Sequence, residues 1–95
     1  MTLEKLVLNY IASAEQALDE LKIIEAASHL SKELIMSVVD LAKDYLHDAK
    51  YYREEKKFEI SLASVAYCEG LLDALRILKL VKFEWRKPGE NVKEK

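Results

Sequence analysis

Apolar residues recur along this chain at alternating spacings of four and three. Leu3, Val7, Tyr10, Ala14, Ala17, Leu21 and Ile24 make one such series, and Glu4, Asn9, Glu15, Gln16, Asp19 and Glu20 fall mostly outside it. A helix turns about 100° per residue, so this spacing puts the series in one stripe and predicts a helix over 3–25. Thr2 stands at its N-cap position. "EAASH" at 25–29 breaks the pattern, and Ser28 offers an N-cap for a second helix over 29–54. Leu34, Val38, Leu41, Tyr45 and Tyr52 form its expected stripe, with Asp48 in place of a missing apolar member. "REEKK" at 53–57 makes a charged corner, and the most apolar segment, 58–82, is the third predicted helix. "FEW" at 83–85 is expected to fold back over an end of the structure. The polar "RKPGENVKEK" at 86–95 reads as a flexible tail. Three amphipathic helices with short connections predict an all-α fold, an antiparallel up-and-down three-helix bundle over 1–85.

The third helix divides into three zones. Ala63, Tyr67, Gly70, Ala74, Ile77, Leu78 and Val81 share one meridian, expected to be the core face. Within it, Ala66, Gly70 and Ala74 make a ridge of small residues that would let a neighbouring helix come close. Such contact would offset the roughly 1 kcal/mol that a mid-helix glycine costs relative to alanine. Glu69, Asp73 and Arg76 lie to one side. Asp73 and Arg76 are three apart and can pair, and Glu69 is expected in solvent. Val65, Cys68, Leu72 and Leu75 form a second apolar stripe, opposite the first. One helix of a small bundle needs one such stripe. The second is covered either by another part of the chain or by another protein.

Composition narrows the class. The 95 residues are 51% hydrophobic and 34% charged, with two glycines and one proline, as suits long helices. A formal net charge of −2 gives no basic footprint for nucleic acid. The one cysteine leaves no internal disulfide, which fits a reducing compartment. The uncharged run "ISLASVAYC" at 60–68 falls far short of the roughly 20 residues that span a bilayer. The start of the chain lacks the pattern of a signal peptide. A cytoplasmic protein is expected.

Candidate chemistry is sparse. In an antiparallel hairpin turning near Glu55, Asp48 lies level with Ala63 and Asp73 with Val38. The two carboxylates are then ~15 Å apart along the axis, too far for an acid–base pair. His47 falls on the outer side of the second helix, and His29 near its start. The sequence has no Glu-x-x-His, Cys-x-x-Cys, glycine-rich phosphate loop or Gly-x-Ser-x-Gly. Neither histidine is placed to activate Cys68. The five tyrosines read as core residues with a wet hydroxyl end. No metal, cofactor or catalytic residue is expected.

"YLHDAKYYREEKKFEISLASVAYCEGLLDALRIL", residues 45–78, resembles the signature half of a small archaeal family, domain of unknown function family 357. The likeness rests on Asp48-Ala49, Tyr51-Tyr52, the charged corner, Tyr67, Gly70, Leu72 and Asp73-Ala74, with "FEW" following. Members often carry Gly-Asp at the corner where Lys56-Lys57 stand here. The resemblance implies an archaeal cytoplasmic three-helix bundle and no established activity. A weaker likeness runs to HEPN-type helical domains. Their ribonuclease members carry an arginine four to six residues before a histidine, which this chain lacks.

Two functions of different class follow. The first is a non-catalytic interaction module using Val65, Cys68, Leu72 and Leu75, with a second copy or another cytoplasmic protein as partner. The second is small-ligand or cation binding at an acidic rim of Asp48, Glu69 and Asp73, with Arg76 beside it. RNA binding through "KYYREEKK" is opposed by its two glutamates.

Overall fold

The computed structural model describes residues 1–24 and 30–85. Three helices form an antiparallel bundle: α1 (Leu3–Glu20), α2 (Lys32–Glu54) and α3 (Phe58–Ile77). Thr2 caps α1 as expected, its hydroxyl accepting from the Lys5 N–H (3.1 Å). Ser31 caps α2, accepting from the Leu34 N–H (3.2 Å). The readings placed on Ser28, His29 and the 86–95 tail lie outside the described residues.

α1 and α3 are each shorter than the periodicity implies. α1 stops at Glu20, and Leu21 turns extended. Lys22–Ile23 then form a short strand, β1, antiparallel to β2 (Val81–Lys82). The Ile24 N–H also donates to the Leu80 carbonyl (3.0 Å). Ile23, Ile24 and Val81 are β-branched and favour this pairing over another helical turn. α3 ends at Ile77 because Lys79 takes a left-handed conformation (φ 63°) and turns the chain back. The "FEW" segment does return to the bundle: Phe83 is buried and Trp85 partly so.

α2 and α3 pack as a hairpin. The buried Ser61 hydroxyl donates to the Ala49 carbonyl (2.6 Å) and fixes their relative height. α1 lies across one face of this hairpin, and Lys50 of α2 pairs with Glu15 of α1. The core joins Val7, Ile11, Ala14 and Ala17 of α1 to Ile35, Val39, Ala42, Leu46 and Ala49 of α2. α3 contributes Val65, Cys68, Leu72 and Leu75.

The expected faces of α2 and α3 are therefore corrected. On α2 the buried series runs one residue after Leu34, Val38 and Leu41 and one after Tyr45, a rotation of about 100°. Leu34 and Leu41 are exposed, Val38, Tyr45 and Tyr52 half-buried, and Asp48 exposed rather than set in the core. On α3 the expected core face points outward, and the second stripe is covered within the chain, one of the two alternatives left open for it. Of the expected core face only Val81 is buried, and it sits in β2. Along the middle of α3, Val65, Cys68 and Leu72 take the interior in place of Ala63, Ala66, Gly70 and Ala74, which could remove less apolar surface from water, while Tyr67, Ile77 and Leu78 stay exposed.

Candidate functional site

The stripe of Val65, Cys68, Leu72 and Leu75 is no interface: none of the four is more than 4% exposed within the single chain. α1 and α2 cover it. Burial, and secondly the charge of Glu69, push the Cys68 thiol up to about 12. It is protonated at neutral pH and serves as a small apolar filler.

The acidic rim is also rearranged. Asp48 is exposed on α2. Asp73 binds Arg76, as the spacing predicted, its Oδ1 accepting from Nη2 (3.2 Å). The same oxygen accepts from the Trp85 indole N–H (2.6 Å), which ties the C-terminal segment to α3. Glu69 is half-buried rather than solvated. Burial and then the neighbouring Asp73 raise its carboxyl from 4.5 to about 6. Among the described residues no group of three or more His, Cys, Asp or Glu side chains is arranged to hold a metal ion. The rim is thus an anchor for residues 83–85, with its Asp73 oxygen already engaged.

What α1 leaves uncovered is the other face of the hairpin. From Ile60 to Leu78, nine residues are exposed, and only Arg76 among them is charged. A surface helix ordinarily carries its charges opposite the core, and α3 is instead apolar almost all round. Leu34, Leu41, Ile60, Tyr67, Ile77 and Leu78 are each between 41% and 68% exposed. The hairpin register puts Leu34 level with about Ile77, and Tyr45 meets Tyr67 edge to face at 4.3 Å. Large side chains therefore follow the outer α2–α3 groove over much of its length. Between them Ala63, Ala66, Gly70 and Ala74 are also exposed. A Cβ added at Gly70 would meet nothing within 4 Å, so this glycine accommodates no helix of its own chain.

None of the five tyrosines is fully buried: Tyr10, Tyr51 and Tyr67 are exposed, and Tyr45 and Tyr52 are half-buried. The spacing of α3 places Tyr67, Gly70 and Ala74 on the core face and assigns Ile60 no role, whereas all four are exposed. An available signal was Asp48. It interrupts the series Leu34, Val38, Leu41, Tyr45 and Tyr52, whereas Ile35, Val39, Ala42, Leu46 and Ala49 run without a charge.

A second concavity, a cleft of about 360 Å³, lies between the end of α1, β1 and the start of α2. Leu18, Ile23, Met36 and Val39 wall it, and Lys22, Lys32 and Lys43 stand at its rim. No helix among the described residues is long and apolar enough to cross a membrane.

No curated protein and no solved structure matches the chain. The sequence model of one family does match, over residues 9–81, which takes in all of α2 and α3 and most of α1. The chain belongs to that family, described as protein of unknown function (DUF357).

Proposed function

We propose that this protein is a non-catalytic interaction module of the cytoplasm that binds another protein chain through the outer face of the α2–α3 hairpin. The observation that carries the reading is the run of nine exposed residues between Ile60 and Leu78 in which only Arg76 is charged. Keeping Ile60, Tyr67, Ile77 and Leu78 in water is unfavourable by ~25 cal/mol per Å² of apolar surface, and a covering partner removes that penalty. The reactive side chains point the same way. Cys68 is buried and protonated, and Asp73 is held by Arg76 and Trp85. Both bonds to Asp73 end on Oδ1, so that oxygen serves the fold.

The test compares the wild-type chain with a Leu41→Glu/Tyr67→Glu variant as baits in cell extract. Both substituted positions are exposed, so circular dichroism should be unchanged. The wild type is expected to retain protein, further copies of itself included, that the variant loses. Equal retention by both would remove this face from consideration.

A further inference from the structure

The exposed seam of α3 is symmetric about its own middle. Ile60, Ala63, Tyr67, Gly70, Ala74 and Ile77 follow one another at spacings of three, four, three, four and three. That is the a/d spacing of a heptad repeat, here on the solvent side of the helix. Read from either end about the midpoint between Cys68 and Glu69, the seam pairs isoleucine with isoleucine and alanine with alanine. Tyr67, the one bulky central residue, pairs with Gly70.

We infer that the partner of this face is a second copy of the chain, docked with the two α3 helices antiparallel about a two-fold axis beside Cys68 and Glu69. The inference rests on the interaction reading above and names its partner. In an antiparallel pair each seam residue faces the one equally distant from the axis. Ile60 meets Ile77, Ala63 meets Ala74, and Tyr67 lies over Gly70 of the other copy. This is the self-complementary patch that a two-fold dimer requires.

The local geometry fits. Nothing occupies the space above Gly70. The ring that would enter it is already held edge-on by Tyr45 at 4.3 Å, so little freedom is lost on docking. The alanines on either side let the two backbones approach closely. Flanking positions oppose Ser64 to Leu71 and Ala66 to Asp73, so no like charges meet.

The available area also fits. At about 200 Å² for a fully exposed large side chain, Leu34, Leu41, Ile60, Tyr67, Ile77 and Leu78 together offer roughly 600 Å². With the small residues between them the face approaches the ~800 Å² per partner that a stable interface buries. A largest apolar patch of this size is already at the upper end for a monomer.

The experiment combines mass with register. Light scattering of the full chain should give twice its 11.0 kDa mass. Gly70→Glu should give the monomer mass at a concentration where the wild type is wholly dimeric. This variant cannot lose the dimer by unfolding, because glutamate is a better helix former than glycine and its side chain has open space. A short bifunctional maleimide should link Ala63→Cys chains mixed with Ala74→Cys chains. Neither variant should link to itself, since like positions lie ~16 Å apart along the axis. Cys68, buried and protonated, stays silent.

A monomeric wild type overturns the second copy as partner. If the Leu41→Glu/Tyr67→Glu bait still loses protein in that case, the interaction reading survives with a different partner. If it loses nothing, both fall. A dimer that links Ala63→Cys to itself, or that persists in Gly70→Glu, overturns the antiparallel seam.

Discussion

Lys56 and Lys79 end consecutive helices in the same way. Both are left-handed, with φ of 62° and 63°. In each case the lysine N–H donates three residues back and the next N–H five residues back. These bonds are Lys56 to Arg53 (2.9 Å) and Lys57 to Tyr52 (2.8 Å), then Lys79 to Arg76 and Leu80 to Leu75 (both 3.0 Å). This is the Schellman ending, in which glycine usually fills the left-handed position. A side chain there costs roughly 1–2 kcal/mol, and glycine returns part of that gain through its freer unfolded chain. Lys56→Gly and Lys79→Gly should each stabilise the fold by ~0.5–1 kcal/mol, seen as a rise of several degrees in Tm. The two gains should add, since the sites lie at opposite ends of α3. Lys56→Ala should leave Tm nearly unchanged, because alanine keeps the Cβ. The corner thus puts lysine in the left-handed position that glycine usually fills.

The faces of α3 give a sharper contrast. Leu72 is fully buried and Tyr67 half exposed, although the periodicity put Tyr67 on the core face and left the cover of Leu72 open between this chain and another protein. Leu72→Ala should cost ~2–5 kcal/mol, a large share of the stability of so small a domain. Tyr67→Ala should cost less than ~1 kcal/mol at a concentration low enough to keep the chain monomeric. Urea unfolding followed by circular dichroism measures both. Equal costs would mean the two stripes share the burial.

The helices and the hairpin register were legible because their signals are local and redundant. Thr2 caps α1, the charged corner falls where α2 ends, and the Ser61–Ala49 bond matches a hairpin turning near Glu55. The faces were not legible, because α3 is apolar nearly all round and its period fits two stripes equally well. On α2 a shift of one residue, Leu34 to Ile35, turns the helix by ~100° without spoiling the spacing. Only the partner helix settles such a choice. The end of α1 was hidden for a related reason. Ile23 and Ile24 continue the helical period, but their competing partners, Leu80 to Lys82, lie more than fifty residues away. Of the candidate polar site, the Asp73–Arg76 pair was visible in its spacing. The Trp85 bond was not, since it depends on where the chain returns after α3.

Glu69 makes stability depend on pH. Its carboxyl is raised from 4.5 to about 6 in the folded chain, first by burial and then by Asp73. Between these values the folded state holds the proton more tightly than the unfolded state does. The contribution of this group to stability therefore falls as pH rises from about 4.5 to 6, and stays low at neutrality. Glu69→Gln removes the titration. At pH 7 it should stabilise the protein by ~1 kcal/mol, the ~1.4 kcal/mol per pH unit being reduced by solvent screening at a half-buried site. At pH 4 it should give no gain. Denaturant midpoints of wild type and variant across this range should diverge with rising pH, and parallel curves would assign the dependence to other groups.

The bond from Trp85 to Asp73 determines whether the C-terminal segment stays on α3. Trp85 also stacks edge to face on Phe83 at 4.9 Å, and Phe83 is buried beneath it. Two interactions therefore hold one indole, and they can be separated. Trp85→Phe keeps an aromatic ring but loses the N–H donor, whereas Asp73→Ala removes the acceptor and leaves the indole. A hydrogen bond to a carboxylate at a partly buried site contributes ~1 kcal/mol or somewhat more. The double-mutant cycle of these two changes should return a coupling of about that size. Trp85 is the only tryptophan, so its fluorescence reports the segment directly. Asp73→Ala should shift its emission to the red as the indole gains water, with the helical signal intact. Red-shifted emission with negligible coupling would mean that Phe83 packing, rather than the bond, sets the stability of the return. An unshifted spectrum would mean that stacking alone keeps Trp85 in place.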